Sequence, residues 1–214
     1  MEGCTRRQVV CTLASVVGIS GVVTLFEVSS GSDQHQENRP KNWESFVSNF
    51  SESDVIFVIG TSFVSSLIRA SQFPFIYTHA GLLVKYRDTI VVIDSDYDPE
   101  FARDGVLVHS VESFLRNYDK ILILSNPALL SDQRSLISQA ALRFRGKTFD
   151  LALEGDANEL YCTELIARSF MALPNSPISF GREGYLTPAS LYNTLLAKGW
   201  TGQVVTNRTD RRDS

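Results

Sequence analysis

The sequence has few cysteines, which excludes the protein classes that depend on several of them. Its 214 residues contain only three, Cys4, Cys11 and Cys162. The first two lie in an apolar N-terminal segment that we expect to be separate from the folded domain. A single thiol in the domain can build neither a disulfide framework nor a cysteine-based zinc site. Cys162 is therefore either an inert buried residue or a nucleophile.

Basic charge is also scarce. The chain has 20 Lys and Arg against 24 Asp and Glu, a net charge of −4, and no long basic run. Nucleic-acid binders usually carry a basic face, so we expect no nucleic-acid partner. The sequence also lacks a repeat period, a phosphate-cradling glycine loop, a nucleophile-elbow serine and a His-Glu zinc helix. We therefore predict no cofactor and no metal.

The longest stretch without charge lies near the N-terminus. Residues 9–26 contain no charged side chain, and they follow the pair Arg6-Arg7. The run is longer than most signal-peptide cores and slightly shorter than a membrane span of about 20 residues. We therefore predict that residues 1–30 form a signal peptide or an N-terminal membrane anchor. The protein would then be periplasmic, or anchored in the membrane facing the cell envelope; the sequence leaves cleavage open.

Composition divides the rest of the chain into three parts. Residues 31–53 are polar and read as a linker, residues 54–205 as the folded domain, and residues 206–214 as a disordered tail. Within the domain, apolar runs bounded by turn residues predict several strands before a late helix. We predict strands at 54–59, 78–86, 89–93, 105–109 and 120–124, and helices at 62–70, at 111–118, from Ser125-Asn126-Pro127 to Gly146, and from 159 onwards.

Residues 159–166 are typical of a helix start, with Cys162 in the first turn. Asp156 or Asn158 is the expected N-cap, and apolar residues downstream keep helical spacing. A thiol at this position feels the positive end of the helix dipole and unpaired backbone N–H groups, both of which favour the thiolate. Four acidic residues nearby, Glu164 among them, oppose the thiolate unless they point away.

A cysteine nucleophile needs a base, and the domain offers two histidines. His79 lies in an apolar strand beside Ala80 and Gly81, which leave room for a substrate or a helix. It is either a hydrogen-bonded core residue or the base, whereas we interpret His109 as structural. Asp94 ends the next strand and can orient the imidazole if the two strands pair. The alternative for Asp94 is a solvated acidic loop, since three more acids follow within six residues.

Several segments, in this order and spacing, resemble the YiiX-like group of circularly permuted papain-like cysteine hydrolases of the NlpC superfamily. The resemblance spans about Asp54 to Gly199. It rests on Gly60-Thr61-Ser62, Thr78-His79-Ala80-Gly81, Val92-Ile93-Asp94, Gly146-Lys147-Thr148-Phe149-Asp150-Leu151, Glu159-Leu160-Tyr161-Cys162-Thr163-Glu164-Leu165 and Leu186-Thr187-Pro188-Ala189-Ser190-Leu191.

The resemblance implies an α+β, permuted papain-like fold of the NlpC type. In such a fold an antiparallel sheet or barrel packs against helices, and the nucleophile lies at a helix N-terminus. Matched position by position, Cys162 would be the nucleophile, His79 the base and Asp94 the third residue, where many relatives have Glu. The implied activity is amide or ester hydrolysis through a thioester.

Three functions remain open on this basis. The first is an exported cysteine amidase or peptidase whose substrate is a small cell-envelope peptide, a cell-wall fragment or an acyl conjugate. The second is an acyltransferase or lipid hydrolase resembling the lecithin-retinol acyltransferase group. That reading needs an apolar groove, which Phe73, Phe75 and Ile76 could line. The third is a catalytically inactive binding module that keeps the fold.

Overall fold

The computed structural model describes residues 47–48, 50–60, 63–99, 103–116, 118–153, 155, 158–179 and 185–206. The predicted signal peptide or anchor, most of the predicted linker and nearly all of the predicted tail lie outside these residues. No helix among the described residues has both the length and the apolar character needed to cross a membrane.

The described residues are organised around an antiparallel sheet of six strands, so the expected α+β class is confirmed. The strands are β1 (Val55–Val58), β2 (His79–Tyr86), β3 (Thr89–Asp98), β4 (Arg103–Ser110), β5 (Lys120–Ser125) and β6 (Thr201–Thr206). The helices are α1 (Phe63–Ser71), α2 (Val111–Leu115), α3 (Ser131–Leu142), α4 (Cys162–Phe170) and α5 (Pro188–Ala197). The strand order is β4-β3-β2-β1-β5-β6.

The sheet is buried on both faces, and this explains why its inner strands are almost continuously apolar. One face, with Phe57, Leu82 and Ile93, packs against α3, α4 and α5. The opposite face, with Val58 and Val92 among others, packs against α2. Alternating side chains of one strand therefore belong to two different cores.

A tight hairpin joins β2 to β3, as the sequence predicts. Tyr86 pairs with Thr89, and the two residues between them, Arg87 and Asp88, have positive φ values of 49° and 64°. Two consecutive residues with positive φ form a turn whose twist matches that of the antiparallel strands on either side. The predicted end of β3 at residue 93 is wrong, because the strand continues to Asp98.

Two further expectations about element boundaries are corrected. The helix expected from Ser125-Asn126-Pro127 begins only at Ser131, since the Asn126 side chain and carbonyl accept hydrogen bonds from Ala128 and Leu129 and form a turn instead. The helix also ends at Leu142, before Gly146. Strand β6 was not predicted. It is a largely exposed edge strand, so it carries no apolar alternation that the sequence would reveal.

Candidate active site

Helix α4 begins at Cys162, so the thiol lies in the first turn, as expected, but the predicted start at residue 159 is wrong by three residues. The expected N-cap is wrong, because the N-cap is Tyr161 and its side chain makes no capping bond. Asn158 precedes the helix by four residues, and Asp156 lies outside the described residues. The Glu164 carboxylate, at the third helical position, instead accepts a hydrogen bond from the Tyr161 backbone N–H.

Two connections fix the start of α4 against its surroundings. The Ser95 hydroxyl of β3 donates to the Leu160 carbonyl, two residues before the thiol. On the other side, the Thr163 hydroxyl donates to the Leu186 carbonyl, and the Leu186 N–H donates to the Tyr161 hydroxyl at 3.1 Å. The helix start is thereby tied to β3 and to the segment before α5, and Cys162 is 4% exposed between them.

The structure brings His79, Asp94 and Cys162 together. His79 is the first residue of β2, and its Nε2 lies 2.8 Å from Oδ2 of Asp94 on β3. Asp94 is within the strand and 2% exposed, so the alternative of a solvated acidic loop is wrong. Since Nε2 is engaged by the carboxylate, Nδ1 is the ring nitrogen left for Cys162, which hydrogen-bonds to His79.

The charges of these groups depend on one another. Burial by itself would lower the pKa of His79, but Cys162 and Asp94 outweigh burial and raise that pKa well above its usual value. Burial would likewise raise the pKa of Asp94, but His109 and His79, one beside each carboxylate oxygen, hold that pKa below its usual value. The arrangement therefore favours an imidazolium beside an ionised carboxylate.

His109, which the sequence analysis interpreted as structural, also contacts Asp94, and the sequence analysis did not predict this contact. It pairs with Val92 across the β3–β4 ladder, and its Nε2 lies 3.1 Å from Oδ1 of Asp94. The Phe114 ring of α2 lies 6.1 Å from both imidazoles. The sequence carried no signal for this contact, because the register of β4 on β3 cannot be read from either strand alone.

Tyr185 is a second site residue that the sequence analysis missed. Its ring is 5.0 Å from that of Tyr161, the residue before the thiol. Burial raises the pKa of Tyr185, and the charge of Cys162 raises it further. Tyr185 comes from the segment before α5, about twenty residues along the chain, so only the tertiary fold brings it here.

Glu164, the acidic residue nearest to Cys162 in sequence, forms an ion pair. Glu164 is fully buried, and its Oε1 accepts a hydrogen bond from Nε of Arg168 at 2.7 Å. Arg168 also donates to the Gly155 carbonyl at 2.9 Å. Burial raises the pKa of Glu164, and Arg168 opposes that rise. The acidic surroundings that the sequence suggested are therefore neutralised in part by an ion pair on the same helix.

Phe73, Phe75 and Ile76, which the sequence analysis proposed as the lining of an apolar groove, do not form one continuous surface. Phe75 packs into a ring cluster with Phe57 and Tyr192, at centroid distances of 6.1 Å and 5.0 Å. Phe73, in contrast, is 83% exposed, and Ile76 lies at the surface. Phe75 is thus partly buried and packs against the core, whereas Phe73 and Ile76 face solvent.

Comparison with known proteins gives one family and one fold. Residues 49–194 match the family described as "Permuted papain-like amidase enzyme, YaeF/YiiX, C92 family". A crystal structure of the metalloprotein yiiX from Escherichia coli O157:H7 is similar at 22% identity with a TM-score of 0.52, covering 60% of this chain and 69% of that chain. None of the curated proteins matches the chain.

The described part of this chain does not offer a metal centre of the usual kind. Its His, Cys, Asp and Glu side chains nowhere converge in a group of three or more that could hold a metal ion.

Proposed function

Because this chain belongs to the permuted papain-like amidase family of YaeF and YiiX, we propose that it is a cysteine hydrolase whose nucleophile is Cys162. One observation supports the proposal: Nε2 of His79 lies 2.8 Å from Oδ2 of Asp94, and the same imidazole interacts with Cys162. A nucleophile, a base and a group that orients the base are the parts that this chemistry needs.

The reaction follows from this geometry. His79 accepts the proton of Cys162, and the thiolate attacks the carbonyl carbon of an amide or ester. The imidazolium then donates its proton to the departing amine or alcohol, which leaves a thioester on Cys162. Water, deprotonated by His79, hydrolyses the thioester and frees the acid. Asp94 stabilises the imidazolium in each step and keeps its ring in one orientation.

The negative oxygen of the tetrahedral intermediate needs hydrogen-bond donors. The first N–H groups of a helix have no partner within the helix, and Cys162 is the first helical residue, so its N–H is available as one such donor. The Tyr185 hydroxyl is the side-chain donor that we assign to this oxygen, because its ring packs on that of Tyr161, the residue before the thiol. Backbone and phenol together would form the oxyanion hole.

We infer the substrate class from the uncharged N-terminal run and from the family. The uncharged run at residues 9–26 supports export or membrane anchoring, and an exported amidase meets cell-envelope peptides and acyl conjugates. We therefore favour a small peptide or a cell-wall fragment as substrate. Exposed Phe73, six residues before His79, favours an acyl ester of a lipid as the second candidate.

The test is alkylation of Cys162 by iodoacetamide across pH, followed by mass spectrometry of the peptide that contains this residue. Peptide mapping separates Cys162 from Cys4 and Cys11. We expect His79→Ala to lower the rate about tenfold or more at about pH 6.5, because the imidazolium no longer supports the thiolate. The control is His35→Ala, the histidine of the predicted linker, which should leave the rate unchanged.

A rate that His79→Ala does not alter would exclude His79 as the activating base and favour the inactive binding module. If the rate falls as expected, hydrolysis of cell-wall peptides and of acyl esters by the wild type and by Cys162→Ala separates the two substrate classes.

A further inference from the structure

We propose that His109 is a positioning residue for this reaction: it holds the second oxygen of Asp94, so that the carboxylate stays aligned with the imidazole of His79. The proposal rests on the proposed function, because it concerns how His79 is oriented. It adds a fourth residue, from a third strand, to the group formed by Cys162, His79 and Asp94.

The strand order is what makes the contact possible. Strand β3 lies between β2 and β4, so a side chain on β3 can be contacted from both neighbours. His79 of β2 binds Oδ2 of Asp94 at 2.8 Å, and His109 of β4 approaches Oδ1 at 3.1 Å. The carboxylate is thus bracketed by two imidazoles, one on each of its oxygens.

Oδ1, the second carboxylate oxygen of Asp94, needs a hydrogen-bond donor. Asp94 is buried, and the contact from His109 lies off the ideal hydrogen-bond direction, so Oδ1 has no well-aligned donor among the described residues. A buried carboxylate oxygen without a partner is costly, and free rotation of the carboxylate would also misalign Oδ2. His109 is the group that can prevent both.

Neighbouring residues pack closely against the cluster formed by His79, Asp94 and His109. A Cβ atom added to Gly81 would lie 2.6 Å from Cγ1 of Val92, 3.3 Å from the Phe114 ring and 3.7 Å from Cβ of Asp94, so there is no room for a side chain at residue 81, next to Asp94. The same Phe114 ring contacts both imidazoles. The His109 side chain remains 21% exposed, so it is the member of the cluster that reaches solvent.

Other ionisable groups face the cluster and must be held constant in any test. Asp96 of β3 forms an ion pair with Arg103 of β4 at 3.4 Å. Tyr118, after α2, feels the charges of His79, Asp94, Asp96 and Arg103. None of these groups is altered in the variants below.

A matched pair of substitutions isolates the hydrogen bond. The amide nitrogen of His109→Gln reaches about as far as Nε2, whereas that of His109→Asn stops about where Nδ1 lies. Because one hydrogen bond is at stake, we expect His109→Asn to lower the alkylation rate of Cys162 about three- to tenfold at about pH 6.5 and His109→Gln to restore most of it. The pH profile of alkylation should shift in the Asn variant and return in the Gln variant.

A second comparison tests whether His109 acts through His79. In a His79→Ala background, His109→Asn should have no further effect on the alkylation rate, since the group that it positions is gone. Equal rates for the Gln and Asn variants, or an undiminished effect of His109→Asn without His79, would overturn the proposal. If His79→Ala itself had no effect, the proposed function would fail first, so the two failures are distinguishable.

Discussion

At the scale of single residues, a carboxylate held between two imidazoles sets the charges of the site. Burial alone would raise the pKa of Asp94, but its two histidine partners hold that pKa below its usual value. An ionised Asp94 then contributes to the raised pKa of His79. The charges in this cluster are therefore set by contacts rather than by exposure to solvent.

Tyr185 offers a direct test of the oxyanion hole. Removing its hydroxyl in Tyr185→Phe should lower the turnover of an acyl ester about ten- to a hundredfold, because one donor to the intermediate is lost. The alkylation rate of Cys162 should stay unchanged, since alkylation forms no oxyanion. Tyr86→Phe, at the opposite end of β2 from His79, is the control. A parallel fall in turnover and alkylation would contradict the assignment.

The ion pair inside α4 should contribute to stability. Arg168→Met leaves the buried Glu164 without its counter-charge, so we expect the free energy of unfolding to fall by about 2 to 3 kcal/mol. Urea denaturation measures the change. Glu164→Gln combined with Arg168→Met should recover part of the loss, because no uncompensated charge remains.

The control for this prediction is a similar pair at the surface. Arg116 and Glu112 are also four residues apart, at 3.3 Å, but both side chains are exposed. Arg116→Met should cost no more than about 0.5 kcal/mol. Equal losses for Arg168→Met and Arg116→Met would show that burial does not matter here.

At the scale of elements, the position of the thiol follows from how α4 starts. Its first residue is Cys162, and the hydrogen bonds of Thr163 and Ser95 anchor that end to two other segments. A helix end held in this way keeps the thiol beside β2 and β3. The site therefore depends on the junction of one helix with two strands.

Another junction, between β4 and the segment after α3, depends on a glycine. Gly105 has a φ of +95°, and an added Cβ would lie 1.8 Å from the Lys147 carbonyl oxygen. Gly105→Ala should therefore lower the free energy of unfolding by about 2 to 4 kcal/mol, through backbone strain and the clash together. Thermal and urea denaturation measure this loss.

Gly146 is the matched control for that substitution. It also has a positive φ, of +79°, but an added Cβ would meet nothing within 4 Å. Gly146→Ala should therefore cost only the backbone strain, about 1 to 2 kcal/mol. If Gly146→Ala costs as much as Gly105→Ala, the close approach of Lys147 has no energetic role.

How well each element could be predicted depends on how it is buried. Strands β1, β2 and β5 were predicted closely because they are continuous apolar runs buried on both faces. The second half of β3 was missed, since its acidic residues look like a loop until β4 pairs with them. Edge strand β6 was missed because hydrogen bonds to β5, rather than buried side chains, hold it in place.

At the scale of the whole molecule, the cluster of ionisable groups links folding to pH. The raised pKa of His79 adds stability that is complete below its unfolded value of about 6.5 and is lost as pH rises through the folded value. The lowered pKa of Asp94 adds stability above about 3.8 that is lost as pH falls through the folded value. Both contributions to the free energy of unfolding are therefore complete only at pH values between the unfolded pKa of Asp94 and that of His79.

Asp94→Asn tests this linkage. The loss of unfolding free energy relative to the wild type should be larger at about pH 5.5 than at about pH 9, because the histidine contribution fades in alkali. Urea denaturation at several pH values gives the difference. The control is Asp88→Asn, in the β2–β3 turn, whose side chain is 96% exposed and whose effect should not vary with pH. A loss for Asp94→Asn that is constant with pH would contradict the linkage.

The sequence by itself determined the order of the main strands, the hairpin between β2 and β3, the thiol at the start of a late helix, and Cys162, His79 and Asp94 as candidates. These features are local, because turn residues, apolar runs and helix starts leave their signals within a few positions. Only the tertiary structure decided that His109 and Tyr185 join the site. Strand register and loop docking bring them there, and both arise from packing between distant segments, which no single stretch of sequence records.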